Sequence, residues 1–186
     1  MIPIPVPPSI LEHHIHLTLC VDIFYVQRIP FLTTISRQPL FRIFTYLHDR
    51  SRATLLKEVS TVLRLYHSRG FLISEIHCDH EFDCIKHDIL PCQLNITPKD
   101  NHVGKIERSI HTIKERVRTI IHGLPFRRLP RLMIREVVTT ATKLLNMFPI
   151  AGGLSPIHSL YSILTGRVRV DFNMLKLNFG DRKSVV

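Results

Sequence analysis

The run from Leu17 to Val26 constrains the fold of this chain more than any other stretch. It reads Leu-Thr-Leu-Cys-Val-Asp-Ile-Phe-Tyr-Val, and it is mostly apolar and rich in β-branched and aromatic side chains. A run of this kind predicts a strand that is covered on both faces of its sheet. The rest of the chain must therefore provide the elements that cover it.

One acidic residue, Asp22, lies in the middle of this predicted strand. An ionised carboxylate in such surroundings costs several kcal/mol unless a cation or strong hydrogen-bond donors meet it. A structural salt bridge would meet this need as well as a metal ion. Asp22 therefore needs a partner of one kind or the other.

The pattern of the following residues alternates between strand and helix. Residues 29–35 and 40–47 predict two strands that are antiparallel neighbours of the first. A helix over residues 55–66, between Ser51 and Gly70, then allows the strand at 71–78 to pair in parallel through a crossover. Residues 85–90 predict a short helix, and residues 93–96 a fifth strand.

Two long helices are predicted in the second half of the chain. The first begins near His102 and ends at Gly123, because its apolar residues recur at helical spacing on one narrow face: Ile106, Ile110, Ile113, Val117 and Ile120. The border of that face carries Glu107, His111, Lys114 and Arg118. The second helix runs from about Arg131 to Met147. We expect an α/β fold with a five-stranded mixed sheet and helices on both faces.

The 186 residues leave room for one domain with a substantial core. We expect a proline-rich tail over 1–11, the core domain over 12–150 and an extension over 151–186. No uncharged run approaches the ~20 residues of a membrane span, and the N-terminus lacks the pattern of a signal peptide. We therefore expect an intracellular protein without a membrane partner.

The positive charge is concentrated in one part of the chain. Residues 105–143 hold ten Lys or Arg and three Glu, which gives +7 of the formal net charge of +10. This distribution favours a polyanionic partner, most simply nucleic acid, over a membrane surface. A solubilising surface is the alternative. Arg127 and Arg128, in the connector between the two long helices, are candidate DNA contacts.

The predicted sheet brings acidic residues together. If the first strand and the strand ending at Cys78 are neighbours, Asp22 lies beside Asp79, and the next helix can place Glu107 over the same end. Three carboxylates at one place repel each other unless divalent cations neutralise them. Mg²⁺ (or Mn²⁺) suits such oxygen ligands, and two ions could promote phosphoryl displacement. Glu81 is an alternative to Asp79 as a metal ligand.

The His and Cys residues near Asp79 could suggest a zinc site. Their spacing matches no common zinc module, so we expect those residues to be buried or in loops.

The motifs around these residues resemble the integrase catalytic core of copia-type retrotransposon pol polyproteins. The similar segments are Asp79-His80-Glu81-Phe82, Asn95-Ile96-Thr97-Pro98, and Asn101, Gly104, Glu107 and Arg108, followed by Leu144–Pro149 and Ser155–Gly166. The resemblance covers about residues 17–180. It implies a ribonuclease H-like fold and a two-metal site in which Asp22 bridges both ions while Asp79 and Glu107 each complete one.

The activity that the resemblance implies is 3′-end processing of the element's DNA followed by strand transfer into target DNA. It also implies phosphate contacts by His111, Lys114 and Arg118, action as a homo-oligomer, and a location in the nucleus or a retroelement particle. A catalytically inactive relic that only binds nucleic acid and a ribonuclease H-type nuclease are the alternatives.

The sequence departs from the family pattern at several points. Only 27 residues separate Asp79 from Glu107, fewer than in retroviral integrases, and His80 stands where relatives often have Asn or Gly. No zinc-binding His-His-Cys-Cys module precedes Asp22, and no further DNA-binding domain follows the core. These departures suggest an excised or degenerate piece of a polyprotein.

Overall fold

The strand predicted to be central is the middle strand of a five-stranded sheet. The computed structural model describes residues 4–38, 40–96, 104–126, 128–148, 155 and 158–166. The strands are β1 (His16–Val26), β2 (Ile29–Ser36), β3 (Arg42–Tyr46), β4 (Leu72–Cys78) and β5 (Gln93–Ile96). The helices are α1 (Pro8–His14), α2 (Arg52–His67), α3 (Gly104–His122), α4 (Arg131–Met147) and α5 (Leu160–Thr165), with a short 3₁₀ helix at His80–Ile85.

The sheet has the order β3-β2-β1-β4-β5. β1 pairs antiparallel with β2, through a turn in which Gln27 and Arg28 both have positive φ. Beyond α2 the chain returns as β4, which pairs in parallel with both β1 and β5. The sheet is therefore mixed, as predicted, because hairpins join its first three strands and α2 carries the chain from β3 across to β4, on the other side of β1.

Apolar side chains from the two faces of β1 enter two separate cores. Leu17, Leu19 and Val21 pack with buried residues of α1, α2 and α5. Cys20, Phe24 and Val26 point the other way and pack with α3 and α4. This alternation follows from the two-residue period of a strand. Helices on both faces of the sheet are thus confirmed.

The bounds of several elements agree closely with the sequence prediction. α4 and β5 have the predicted ends, and Ser51 caps α2 by accepting a hydrogen bond from the Thr54 N–H at 3.3 Å. The helix predicted at 85–90 is wrong: a 3₁₀ helix lies just before it, at His80–Ile85, where Asp79 accepts the His80 N–H. The predicted start of α3 near His102 lies outside the described residues.

Part of the predicted proline-rich tail has regular structure. Pro8–His14 form α1, and the side chains of Val6 and Ile10 are buried in the core that contains α2. An extended tail was expected there. Proline at the first helical position is compatible with a helix, because the amide hydrogen it lacks would have no partner inside the helix. The domain boundaries themselves stay a prediction.

A set of polar contacts joins β3 to the helices of one layer. The Arg42 N–H donates to Asn146 Oδ1 at 3.1 Å, and Asn146 Nδ2 donates to the Arg42 carbonyl at 2.6 Å. The Arg42 side chain donates from Nε to Ser109 Oγ at 3.1 Å. Asn146 on α4 and Ser109 on α3 are both buried. We call these three residues the Arg42 clamp.

None of the helices in the described part of the chain has the length and apolar character needed to cross a membrane.

Ile113 provides a direct test of how α3 is held on the sheet. Its side chain is fully buried against β1 and α4, at 0 % exposure. We expect Ile113→Ala to lower the free energy of unfolding by about 2–5 kcal/mol, because it leaves a cavity in the core. Arg116→Ala, at an exposed position of the same helix, should change it by less than about 0.5 kcal/mol. Chemical denaturation measures both. Equal effects would contradict this packing.

Candidate active site

Asp22 and Asp79 both lie just beyond the end of the ladder that pairs β1 with β4. The ladder between β1 and β4 ends at the parallel pair Cys20 and His77. Asp22 is two residues beyond Cys20, and Asp79 is two residues beyond His77. Glu107 lies in the first turn of α3, the helix that covers this face of β1.

The pKa of Asp22 is raised by its burial and by the acidic residues around it. Burial raises the pKa of this half-buried group above its usual value, and a hydrogen bond from the Ile23 N–H opposes that rise. The negative charges of Asp79, Glu107 and Glu81 raise it further. The structure thus brings together three residues that the sequence singled out, with Glu81 as a fourth. We call Asp22, Asp79, Glu107 and Glu81 the acidic cluster. The catalytic and metal-binding roles of its members stay a prediction.

Glu81, the possible rival of Asp79, has a cation as its partner. Its Oε1 lies 3.1 Å from Arg50 Nη1, in the segment between β3 and α2. This ion pair offsets one of the negative charges near Asp22. Arg50 was not identified from the sequence, because nothing in its local pattern indicates that the loop before α2 reaches the 3₁₀ helix.

The chemistry of the acidic cluster fits a divalent cation. Oδ1 of Asp22 accepts the Ile23 N–H and Oδ1 of Asp79 accepts the His80 N–H, each at 2.6 Å. Among the described residues, neither carboxylate has a hydrogen bond on its second oxygen. Hard carboxylate oxygens are the ligands that Mg²⁺ and Mn²⁺ prefer. As placed, no three His, Cys, Asp or Glu side chains in the described residues are close enough to hold an ion.

The neighbouring cysteines are poor candidates for metal ligands. Cys78 and Cys92 are buried, and burial raises the pKa of the Cys78 thiol to about 12 and that of Cys92 to about 11. A metal-binding cysteine must be a thiolate, which burial disfavours here.

The candidate phosphate contacts follow α3 away from Glu107. His111 and Arg118 are exposed, and both face Glu115: His111 Nε2 lies 3.9 Å and Arg118 Nη1 3.6 Å from its Oε1. Lys114 is half-buried and, within the described residues, has no ion pair. Arg128 is exposed in the connector before α4, whereas Arg127 lies outside the described residues.

A cavity of about 370 Å³ lies between α3 and the turn that joins β1 to β2. Lys114, Arg118 and His122 line it from α3, and Gln27 lines it from the turn. These three α3 residues follow each other at intervals of four, so they lie on one side of the helix. Gln27 and His122 were not predicted, since a turn residue and a helix end carry no periodic signal.

Comparison with solved structures identifies the fold. The catalytic core domain of BIV integrase aligns with a TM-score of 0.55 and 13% sequence identity, over 79% of this chain and 92% of that one. The catalytic core domain of HTLV-2 integrase in complex with magnesium, in a trimeric form, aligns with a TM-score of 0.53 and 13% identity, over 81% of this chain and 97% of that one. The predicted ribonuclease H-like fold is thereby confirmed.

No protein-family model matches the sequence, and no curated protein matches it. At this identity the alignment establishes the shared fold, and it extends over nearly the whole length of both integrase cores.

Replacing Asp22 tests the repulsion within the acidic cluster. Because the pKa of Asp22 is raised in the folded protein, ionisation of Asp22 lowers the free energy of unfolding. This destabilisation is absent at pH values below 3.8, the usual pKa of the group, and is complete at pH values above the pKa in the folded state. In chelator-containing buffer, Asp22→Asn should therefore raise the melting temperature at neutral pH. The gain should disappear in acid. The amide oxygen can still accept the Ile23 N–H. Asp83→Asn, on the neighbouring 3₁₀ helix, is the matched control and should give no such pH-dependent gain. A lower melting temperature for Asp22→Asn at neutral pH would contradict this assignment.

Proposed function

We propose that this chain is the catalytic core of a retroelement integrase, of the copia type, and that it joins DNA ends to target DNA. The observation that carries the proposal is the position of Asp22 and Asp79 just beyond the last pair of the β1–β4 ladder in a ribonuclease H-like sheet, with Glu107 in the first turn of the helix that covers β1. The negative charges of Asp79 and Glu107 also raise the pKa of Asp22, which supports a shared site for these three residues from distant parts of the sequence.

Asp22, Asp79 and Glu107 are the residues that would hold Mg²⁺ or Mn²⁺. The HTLV-2 integrase core that shares the fold was solved with magnesium, which supports this choice of metal. When bound, a pair of such ions activates an attacking oxygen and stabilises the leaving oxygen of an in-line displacement at phosphorus. The half-buried position of Asp22 strengthens its interaction with a cation, because water screens the charges less there.

The reaction that we propose has two displacements at phosphorus. In the first, water attacks a phosphodiester near the end of the element's DNA, and the bond to the 3′ oxygen breaks to leave a free 3′-hydroxyl. In the second, that hydroxyl attacks a target phosphodiester, a new P–O bond forms, and the target's 3′ oxygen leaves. Each attacking oxygen loses a proton and each leaving oxygen gains one, so no energy cofactor is needed.

The basic side of α3 would hold the DNA backbone next to the acidic cluster. Lys114 is seven residues after Glu107, which places it about 10 Å further along the helix. Arg118 follows one turn later, and both line the cavity beside the turn between β1 and β2. β1 and α3 both lead away from the acidic cluster toward this cavity. A strand whose phosphate lies at the carboxylates could therefore place its next phosphates along Lys114 and Arg118.

The remaining parts of the proposal concern partners and location. The HTLV-2 core was solved in a trimeric form, and we propose that this chain also acts with further copies of itself. Its DNA partners would be the element's ends and the target. Action on chromosomal DNA would require the nucleus, and assembly with the element's DNA would require a retroelement particle.

Strand transfer by the purified protein tests the catalytic proposal. With Mg²⁺ or Mn²⁺ and a duplex bearing the element's ends, we expect joined products on a gel. Glu107→Gln should reduce them by about a hundredfold or more, since lost metal binding removes several kcal/mol of transition-state stabilisation. Asp22→Asn and Asp79→Asn should do the same while staying folded.

The control is Glu136→Gln, an exposed position of α4 outside the acidic cluster, which should keep full activity. DNA binding without products in the unaltered protein would instead indicate an inactive relic. Cleavage of an RNA–DNA hybrid alone would indicate a ribonuclease H-type nuclease.

The salt dependence of DNA binding tests the phosphate contacts. Each phosphate contact contributes about 0.9 to the slope of log affinity against log salt for duplex DNA. We expect Lys114→Gln and Arg118→Gln each to lower that slope by about 1 and to weaken binding similarly for all sequences. Fluorescence anisotropy at several salt concentrations measures it.

The control variant for this experiment is Arg116→Gln. Arg116 is exposed on α3 but is two residues from Lys114, so it points about 200° around the helix from it. Its slope should equal that of the unaltered protein. A slope equally reduced in all three variants would show that net charge, and not this side of α3, governs binding.

A further inference from the structure

The hydroxyl of Thr33 is a buried polar group that the proposed chemistry does not yet use. Thr33 lies inside β2 with 0 % of its surface exposed, and its Oγ1 has no hydrogen-bond partner among the residues that the structure describes. Buried hydroxyls are nearly always hydrogen-bonded, because an unpaired one loses its bonds to water without replacement. An unpaired buried hydroxyl therefore needs an explanation.

The residue directly opposite Thr33 is Asp22. The two are partners in the antiparallel pairing of β1 and β2, and cross-strand partners have Cβ atoms about 4.5–5.5 Å apart on the same face of the sheet. That face is the one covered by α3 and α4, since the neighbouring partners Phe24 and Phe31 belong to that core. The hydroxyl of Thr33 and the carboxylate of Asp22 are thus within reach of each other.

Asp22 has an oxygen available for such a bond. Its Oδ1 accepts the Ile23 N–H, and in the described part of the chain no hydrogen bond reaches its Oδ2. A carboxylate oxygen carries two lone pairs, so one bond from a hydroxyl leaves the other lone pair for a cation. Among the described residues, the Thr33 hydroxyl thus lacks an acceptor and Oδ2 of Asp22, on the paired residue, lacks a donor.

Thr34, the next residue along β2, provides an internal comparison. It is similarly buried, and its hydroxyl also has no hydrogen-bond partner within the described ranges of the chain. Its cross-strand partners are Val21 on β1 and Ile43 on β3, which are apolar and belong to the opposite core. The two threonines therefore share their chemistry and their burial but differ in what they face.

We propose that Thr33 is a positioning residue for Asp22. A change of the Thr33 rotamer lets its hydroxyl donate to Oδ2 of Asp22, while the Ile23 N–H holds Oδ1. The carboxylate is then fixed at both oxygens in the orientation that it presents to a divalent cation. This inference rests on the proposed function for its purpose, although the hydrogen bond itself can be observed in the metal-free protein.

The experiment compares Thr33→Val, Thr33→Ser and Thr34→Val. Valine keeps the shape of threonine and removes the hydroxyl, while serine retains it. Partners of this kind change metal affinity by about 10- to 100-fold. We therefore expect Thr33→Val to weaken Mg²⁺ binding by about that factor in calorimetry, and Thr33→Ser to restore most of it. Thr34→Val should bind Mg²⁺ like the unaltered protein. Unchanged Mg²⁺ affinity in Thr33→Val, or an equal loss in Thr34→Val, would overturn the inference.

A second readout separates this inference from the proposed function. In chelator-containing buffer at mildly alkaline pH, the carboxyl-carbon NMR resonance of Asp22 should shift in Thr33→Val and not in Thr34→Val. If the unaltered protein binds no Mg²⁺, the proposed metal site is wrong. The Asp22 resonance then still tests whether Thr33 donates a hydrogen bond to Asp22. A resonance that does not move overturns the hydrogen bond. Should Thr33→Val not fold, Thr33→Ala gives the same comparison.

Discussion

The constraint around which the candidate site is built is the half-buried carboxylate of Asp22 on the central strand β1. β1 is the middle strand of the sheet and is covered on both faces, so a charge within it is partly removed from water. Asp79, Glu107 and Glu81 add like charges, and Arg50 offsets that of Glu81. A fold selected for stability alone would place an apolar residue at this position, since burial of unpaired charge is costly. A cation bound to these carboxylates would offset this cost and would explain why residue 22 is an aspartate.

The sequence predicts the regular elements well where one signal dominates. The isoleucines of α3 recur at helical spacing, and β1 is a continuous apolar run, so neither has a competing interpretation. The segment from His80 to Leu90 is different, because its few apolar residues fit several short conformations. There Asp79 caps a 3₁₀ helix at His80–Ile85, and no helix forms at 85–90. The N-terminal prolines predicted an extended tail, which is wrong for Pro8–His14. This segment forms α1 because Val6 and Ile10 pack in the core.

The acidic cluster could be anticipated only in outline. The crossover rule places β4 beside β1, and this suffices to bring Asp79 near Asp22. The crossover rule does not identify residues whose neighbours depend on the exact strand register or on tertiary contacts. Thr33 becomes relevant only when the β1–β2 register puts it opposite Asp22, and Arg50 only when its loop is seen to reach Glu81. The basic stripe of α3 was visible from its spacing, but Gln27 joins it through tertiary structure alone.

The Arg42 clamp has a consequence for how Glu107 is held. Apolar packing lets a helix slide by small steps along a sheet, because such contacts have little directionality. Hydrogen bonds from Arg42 to Ser109 and to Asn146 depend on distance and angle, so they oppose this translation. Ser109 lies two residues after Glu107 on α3. Its hydrogen bond with Arg42 therefore fixes the position of the first turns of α3 along β3. Asp79, in contrast, has no such clamp among the described residues: it follows β4 and caps the short 3₁₀ helix, whose Glu81 pairs with Arg50.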